Sequence, residues 1–102
     1  MSHDLLIAVD VIDPPLYEAY RDAIVPIMGR VGASFRHDVQ VGDVLTPGGD
    51  VPMSRLFVIS FPDRAARDAM FGDPSYIDIR EAHFPKALNA ITILAAYTPE
   101  DS

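Results

Sequence analysis

Three short segments of this chain are apolar at almost every position, and they constrain the fold more than any other feature. The segments are LLIAVDV (5–11), RLFVISF (55–61) and NAITILAAYT (89–98). A strand with one face in water alternates apolar and polar residues, whereas a nearly continuous apolar run is typical of a strand covered on both faces. We therefore expect a sheet that is buried on both sides.

The segment after the first strand predicts a helix that packs on this sheet. Asp13 is suited to cap a helix that starts at the two following prolines, and Gly32 is suited to end it. Apolar side chains recur at steps of three and four residues, which gives one stripe. Its members are Tyr17, Tyr20, Ile24, Ile27, Met28 and Val31. Pro26 lies opposite the stripe, so we expect the helix to bend there rather than end.

The remaining segments complete the order of elements. ASFRHDVQV (33–41) alternates and predicts a strand, and the glycine- and proline-rich 42–54 predicts a long hairpin connection. Segments 62–72 and 73–84 predict helices capped by Asp63 and Asp73. The resulting order is β-α-β-β-α-β.

This order defines an α+β fold of the ferredoxin-like βαββαβ type, with a four-stranded antiparallel sheet covered by helices on one face. At 102 residues, the chain predicts a single domain over 1–102. The other sheet face is too apolar to lie in water, and an exposed apolar patch of that size marks an interface. We therefore expect a homodimer in which two sheets pack face to face; the alternative is a monomer with a solvated sheet.

Charge and composition exclude several classes of partner. The net charge is −7 and Lys86 is the one lysine, so nucleic acid and membrane surfaces are poor partners. There is no cysteine, which excludes disulfides and thiolate chemistry. No apolar run approaches the length of a membrane span and the first residues do not resemble a signal peptide, so we expect a cytoplasmic protein.

The stretch FGDPSYIDIREAHFP (71–85) carries the candidate ligand-binding residues. In a helix, Tyr76, Arg80 and His83 share one side among apolar neighbours. One interpretation is a wall that binds an anion or a carbonyl, in which Arg80 supplies charge, Tyr76 a phenolic hydrogen bond and His83 a donor or a proton carrier. The other is structural: Arg80 pairs with Asp10 or Asp38, and His83 is partly exposed.

Three further residues have both a structural and a functional interpretation. His37 is predicted on the apolar face of the second strand with Phe35 and Val39, as a core residue or as a second candidate catalyst. Tyr17 and Tyr20 are predicted as core aromatics whose hydroxyls reach an edge, or as part of a ligand pocket.

No metal or cofactor is predicted. The three histidines, His3, His37 and His83, are far apart in the sequence, and metal-binding, phosphate-loop and dinucleotide motifs are absent. An axial haem ligand at His37 or His83 stays open, although no feature of the sequence favours it.

The segments LYEAYRDAIVPIMGRVG (16–32) and RLFVISFPDRAARDAMFGDPSYIDIR (55–80) resemble the dimeric α/β-barrel superfamily, most closely its branch of uncharacterised bacterial domains. The resemblance extends over 5–97 and touches Tyr17, Tyr20, Pro26, Gly32, Phe61, Pro62, Tyr76 and Arg80. The chain departs from that branch at Ala33, Ser34 and Ser60. The superfamily includes cofactor-free monooxygenases, lactone isomerases, dehydratases and haem-binding members, so the resemblance implies a fold but no single chemistry.

Two hypotheses follow for a pocket between the helices and the sheet that takes a small aromatic or carboxylate-bearing ligand. The first is a cofactor-independent isomerase or monooxygenase, in which His83 or His37 moves a proton and Arg80 holds the developing oxyanion. The second is a non-catalytic homodimer that binds a ligand or has a structural role.

Overall fold

Four strands pair into one antiparallel sheet in the order β2-β3-β1-β4 in the computed structural model, which describes residues 2–99. The strands are β1 (His3–Val11), β2 (Ser34–Gln40), β3 (Arg55–Phe61) and β4 (Leu88–Tyr97). The helices are α1 (Pro14–Val31), α2 (Arg64–Phe71) and α3 (Pro74–Ala87). This arrangement confirms the predicted α+β, ferredoxin-like fold. The two helices predicted over 62–72 and 73–84 are present as α2 and α3.

Local signals at the ends of α1 act as the sequence predicts. The Asp13 carboxylate accepts a hydrogen bond from the Leu16 amide at 3.1 Å, and the helix continues through the exposed Pro26. Gly32 ends it with a φ of 75°, where a Cβ atom would lie 2.9 Å from the Pro62 ring. Both the positive φ and the close approach therefore require glycine at this position.

The end of α3 differs from the prediction. The helix passes through Pro85 and ends at Ala87, three residues beyond the predicted end at Phe84. Pro85 has no N–H group, so the helix loses one hydrogen bond there, but the carbonyl groups of the last turn can still accept bonds. The Leu88 amide donates to the Phe84 carbonyl, and the helix continues. The extension carries the chain directly into β4.

The three helices contribute to one core on what we call the inner face of the sheet. Strand residues on this face are Leu5, Ile7, Val9, Phe57, Ile59 and Phe61. Helix residues in the same core are Tyr17, Tyr20, Ile24, Ile27, Met28, Met70 and Tyr76. The predicted stripe of α1 is therefore confirmed as its buried face.

The opposite side of the sheet, which we call the outer face, is also apolar at its centre. Strand pairing places Val39, Leu56, Ala8 and Thr92 in one row across the sheet. Arg36, Val58, Leu6 and Ala95 form the next row. The helices of residues 2–99 all join the inner-face core, so none of them accounts for the apolar character of these two rows.

Strand β2 does not keep the predicted alternation. A bulge lies between Arg36 and Val39, and within it His37 has a φ of 50° and is exposed. The prediction that His37 shares the apolar face with Phe35 and Val39 is wrong, because the bulge moves Val39 to the outer face and turns Asp38 towards α1.

An ion-pair network explains the bulge. The Arg21 side chain of α1 is 9% exposed and donates from Nη1 to the Asp38 carboxylate at 2.8 Å. Arg55 of β3 donates to both oxygens of Asp38, at 3.0 and 2.9 Å, and to Glu18 at 2.7 Å. The left-handed conformation of His37 costs about 1 kcal/mol. The network offsets this cost, because a buried guanidinium without its carboxylate is far more unfavourable.

We predict that Asp38→Asn lowers the free energy of unfolding by about 2 kcal/mol, because it leaves the buried Arg21 without its counter-charge. The matched control is Asp22→Asn. Asp22 is an exposed carboxylate on α1 that forms no ion pair or hydrogen bond with its side chain among residues 2–99, so we expect no measurable change. Urea unfolding of both variants measures the difference. Equal stability of the two variants would contradict the role assigned to Asp38.

The same network predicts how stability depends on pH. Hydrogen bonds from Arg55, then from Arg21, hold the pKa of Asp38 below its ordinary value of 3.8, against the opposing effect of burial. Protons therefore bind Asp38 more tightly in the unfolded chain. Its stabilising contribution is complete above pH 3.8 and is lost as the pH falls through the lowered pKa of the folded state. Wild-type protein should lose more stability than Asp38→Asn over this acidic range.

Candidate functional site

A cavity of about 600 Å³ lies between the inner face of the sheet and the helices α1 and α3. Its strand-borne lining consists of Ile7, Val9, Phe35, Phe57, Ile59, Ile91 and Ile93. Its lining from α1, α3 and the end of α2 consists of Tyr17, Tyr20, Ile24, Phe71, Tyr76, Arg80 and Phe84. The volume lies in the range of pockets that hold small organic molecules.

The lining combines an apolar surface with one charged side chain. Among residues 2–99, Arg80 is the single ionisable group of the lining apart from three tyrosines, and no carboxylate of this range lines the cavity. Aromatic rings dominate the helix side, where the Tyr20 and Phe84 ring centroids are 4.7 Å apart and those of Phe71 and Tyr76 are 5.4 Å apart. A flat, apolar ligand with one negative charge matches these walls.

Arg80 is half-buried, and its guanidinium carbon lies 5.9 Å from the centre of the Tyr76 ring. Within residues 2–99 it forms no ion pair and no hydrogen bond. The predicted alternative, an ion pair with Asp10 or Asp38, is wrong: Asp10 accepts from Asn89 at 3.0 Å, and Asp38 binds Arg21 and Arg55. The charge of Arg80 is thus available to the cavity.

The tyrosine hydroxyls are the other polar groups of the lining. The hydroxyl oxygens of Tyr20 and Tyr76 are 3.0 Å apart, and the Tyr17 hydroxyl accepts from Arg21 Nε at 3.0 Å. Burial is the main reason that the pKa of each of these three phenols is raised above 10.0. They are therefore neutral near pH 7, where they act as hydrogen-bonding groups and not as bases.

The two candidate catalytic histidines lie outside the cavity lining. His83 is half-buried; its Nδ1 donates to the Ile79 carbonyl at 2.7 Å, and its ring centroid is 6.3 Å from that of Tyr20. His37 is exposed in the bulge of β2. The structure thus brings Tyr17, Tyr20, Tyr76 and Arg80 together around one cavity. It leaves His83 next to the Tyr20 ring but outside the lining, and His37 apart from the site.

Sequence reasoning missed Arg21, which determines one end of the cavity. Its guanidinium carbon lies 3.9 Å from the ring centre of Phe35 and 4.6 Å from that of Phe57, and both rings line the cavity. A signal was present, since position 21 falls four residues after Tyr17 and three before Ile24, on the buried stripe. A charged residue on such a stripe indicates a buried partner.

The cavity opens beside β4, the edge strand of the sheet next to β1. Ile93 lines the cavity yet is 56% exposed, and Ile91 beside it is also exposed. Two inner-face isoleucines at the edge are therefore left without a covering helix, and they form the mouth.

Two negative observations concern only residues 2–99. Histidine, aspartate and glutamate side chains do not gather there in any group of three that could hold a metal ion. The helices in this range include none that is both long and apolar enough to cross a membrane.

The fold and the cavity define a ferredoxin-like protein with an aromatic pocket on the helix side of its sheet. Residues 5–97 match the family described as a domain of unknown function, DUF1330, and the chain belongs to this family. The predicted resemblance to a group of uncharacterised domains is thereby confirmed. Among curated proteins, no sequence matches the chain.

Several solved structures share the fold. A protein of unknown function from Rhodopseudomonas palustris has a TM-score of 0.81 and 21% identity, and the alignment covers 99% of this chain and 84% of that one. SnoaB, a cofactor-independent oxygenase from Streptomyces nogalater, has a TM-score of 0.65 at 12% identity, with 99% and 95% coverage. A dimeric ferredoxin-like protein of unknown function from Jannaschia has a TM-score of 0.57 at 12% identity, with 97% and 100% coverage. At these identities the likeness establishes the fold alone.

Proposed function

We propose that this protein is a homodimer that binds a small organic anion of aromatic or otherwise apolar character in the cavity of each subunit. The observation that carries the proposal is Arg80, a half-buried cation that lines an apolar cavity and has no ion-pair partner among residues 2–99. A charge that is removed from water without an opposite charge beside it raises the free energy of the folded protein. A ligand carboxylate supplies the missing partner.

The charges around the cavity support an anionic ligand over a cationic or neutral one. The other buried guanidinium, that of Arg21, is neutralised by Asp38, so it adds no net charge to the end wall. Arg80 remains as the one full charge that the described residues contribute to the lining. A protein with a net charge of −7 repels anions at long range, so the ligand must be held by short contacts and by burial of its apolar body.

We predict that Ile93→Trp abolishes binding of 2-naphthoate, an aromatic anion of suitable shape, because the indole ring blocks the mouth. Ile93 is 56% exposed, so the change does not disturb the core. The matched control is Ile12→Trp: Ile12 is 59% exposed and lies away from the cavity lining, so binding should be retained. Isothermal titration calorimetry measures both. Failure of wild-type protein to bind, or equal binding by the two variants, would refute the cavity as the site.

The outer face supports the dimer. Its central residues are apolar although every helix of residues 2–99 lies on the other side. A second copy that packs sheet against sheet would cover those that a single chain leaves partly exposed, Leu6, Leu56 and Val39. The Jannaschia protein, which shares the fold, is described as dimeric.

We predict a mass of twice the 11.2 kDa chain for wild-type protein in sedimentation equilibrium, and a monomer for Val39→Glu. Val39 lies on the outer face and is 50% exposed, so a carboxylate there is tolerated by the subunit and is disfavoured in an interface. Val25→Glu is the matched control, because Val25 is 56% exposed on α1. A Val39→Glu protein that remains dimeric would show that the outer face is not the interface.

A second candidate function is cofactor-independent proton transfer. The hydrogen bond from His83 Nδ1 to the Ile79 carbonyl fixes the proton on Nδ1, so Nε2 of the neutral ring can accept a proton. Arg80 would stabilise an enolate formed from a bound ketone. SnoaB, an oxygenase that works without a cofactor, shares this fold. His37 is not part of this proposal, because it lies in the bulge away from the cavity.

We predict that the protein accelerates exchange of the acidic C–H hydrogens of 2-tetralone in D₂O, and that His83→Gln reduces the rate about 100-fold or to that of buffer, as expected for loss of a general base. Proton NMR measures the exchange. His3→Gln is the control, since His3 lies at the start of β1 and not beside the cavity. If wild-type protein binds 2-tetralone without acceleration, the non-catalytic function stands alone.

A further inference from the structure

We propose that Arg80 and the Tyr76 hydroxyl form a two-point site for the carboxylate of a monoanionic, otherwise apolar ligand, and that Tyr20 is the positioning residue that orients the Tyr76 hydroxyl. This inference rests on the proposed function and narrows it. It assigns the ligand class to aryl or alkyl monocarboxylates, in preference to their neutral amides.

Tyr20 and Tyr76 together have one more hydroxyl hydrogen than the hydrogen bond between them uses. Tyr20 and Tyr76 bring two O–H groups together at 3.0 Å, and the hydrogen bond between them uses one hydrogen. Neither hydroxyl has another hydrogen-bond partner among residues 2–99. Since both residues line the cavity, the pair always retains one hydrogen that can be donated to a ligand.

An anion bound beside Arg80 determines which tyrosine donates in the hydrogen bond between Tyr20 and Tyr76. If Tyr20 donates to the Tyr76 oxygen, the remaining hydrogen belongs to Tyr76, whose ring is the one that the Arg80 guanidinium faces at 5.9 Å. A chain from Tyr20 through Tyr76 to a carboxylate is cooperative, because each bond polarises the next. Burial raises the pKa of Tyr76, whereas its hydrogen bond with Tyr20 and the nearby charge of Arg80 lower it.

Packing holds the two hydroxyls in place before a ligand arrives. The Tyr20 ring contacts Phe84 at a centroid distance of 4.7 Å, and the Tyr76 ring contacts Phe71 at 5.4 Å. Both tyrosines are more than nine-tenths buried. Rings fixed in this way present a hydroxyl donor without loss of rotamer entropy on binding, which favours affinity.

The rest of the lining determines the ligand class. A carboxylate offers two oxygens in a plane, which suits the planar donors of Arg80 together with one hydroxyl. The remaining walls are aromatic and aliphatic, and no acidic residue within 2–99 lies among them. A second negative charge inside the cavity would have no partner, and a positive charge would be repelled by Arg80. A ligand with one carboxylate on an apolar body can pair with Arg80 and pack against the apolar walls.

The test compares 2-naphthoate with 2-naphthamide, which has the same shape without the charge, by isothermal titration calorimetry on the full chain. For wild-type protein we expect naphthoate to bind about tenfold tighter or more, the factor that one hydrogen bond to a charged group contributes. Tyr76→Phe and Arg80→Gln should each remove most of this preference. Tyr20→Phe should remove part of it, because Tyr76 keeps its hydroxyl but loses the group that orients it.

Tyr97→Phe is the matched control, since Tyr97 is exposed on β4 outside the cavity lining, and its preference should equal that of wild type. Circular dichroism checks that each variant is folded; if Tyr76→Phe is not, Arg80→Gln at its half-buried position carries the same test.

The outcomes separate this inference from the proposed function. If neither naphthalene compound binds wild-type protein, the cavity is not a ligand site and both proposals fail. If both bind with equal affinity, or if Tyr76→Phe keeps the full preference for naphthoate, the two-point carboxylate site is overturned while the cavity remains a ligand site. An unchanged preference in Tyr20→Phe would overturn the positioning role of Tyr20.

Discussion

The ion pair between Arg21 and Asp38 is the interaction on which the arrangement of the inner face depends. It joins the middle of α1 to β2, an edge strand that pairs with β3. Phe35 and Phe57 pack against the same guanidinium and form one end of the cavity. Because a buried charge requires its partner, this single contact fixes the distance between helix and strand, and with it the shape of that end wall.

The arginines around the cavity differ in whether a carboxylate of the protein neutralises their charge. Arg21 and Arg55 share Asp38, and Arg55 also pairs with Glu18, so both positive charges are neutralised within the fold. Arg80 lies on α3, on the far side of the tyrosines, where no carboxylate of residues 2–99 is paired with it. The fold thereby leaves one unpaired positive charge in an otherwise apolar lining, which is an arrangement suited to recognition more than to stability.

Elements with strong local signals could be predicted from the sequence, whereas the features that depend on distant partners could not. The caps at Asp13 and Gly32 and the stripe of α1 are local, and they were predicted correctly. The bulge at His37 has no local signal, because it exists to bring Asp38 to an arginine 17 residues earlier in the chain. For the site, the shared side of Tyr76 and Arg80 follows from helical spacing, but the absence of an ion pair at Arg80 depends on which acids the other arginines engage.

Successive side chains of β4 point to opposite faces of the sheet, and these faces have the two proposed roles, ligand binding and dimerisation. Ile91 and Ile93 face inwards at the cavity mouth, whereas Thr92 and Ala95 face outwards in the rows that the proposed dimer would bury. An edge strand held by one neighbour is the part of a sheet most prone to open. Packing of a second sheet on its outer side would restrict that opening, so dimerisation would make the mouth more rigid without any contact to the ligand. One side of β4 would then contact the second subunit, while its other side would form the preorganised mouth of the pocket.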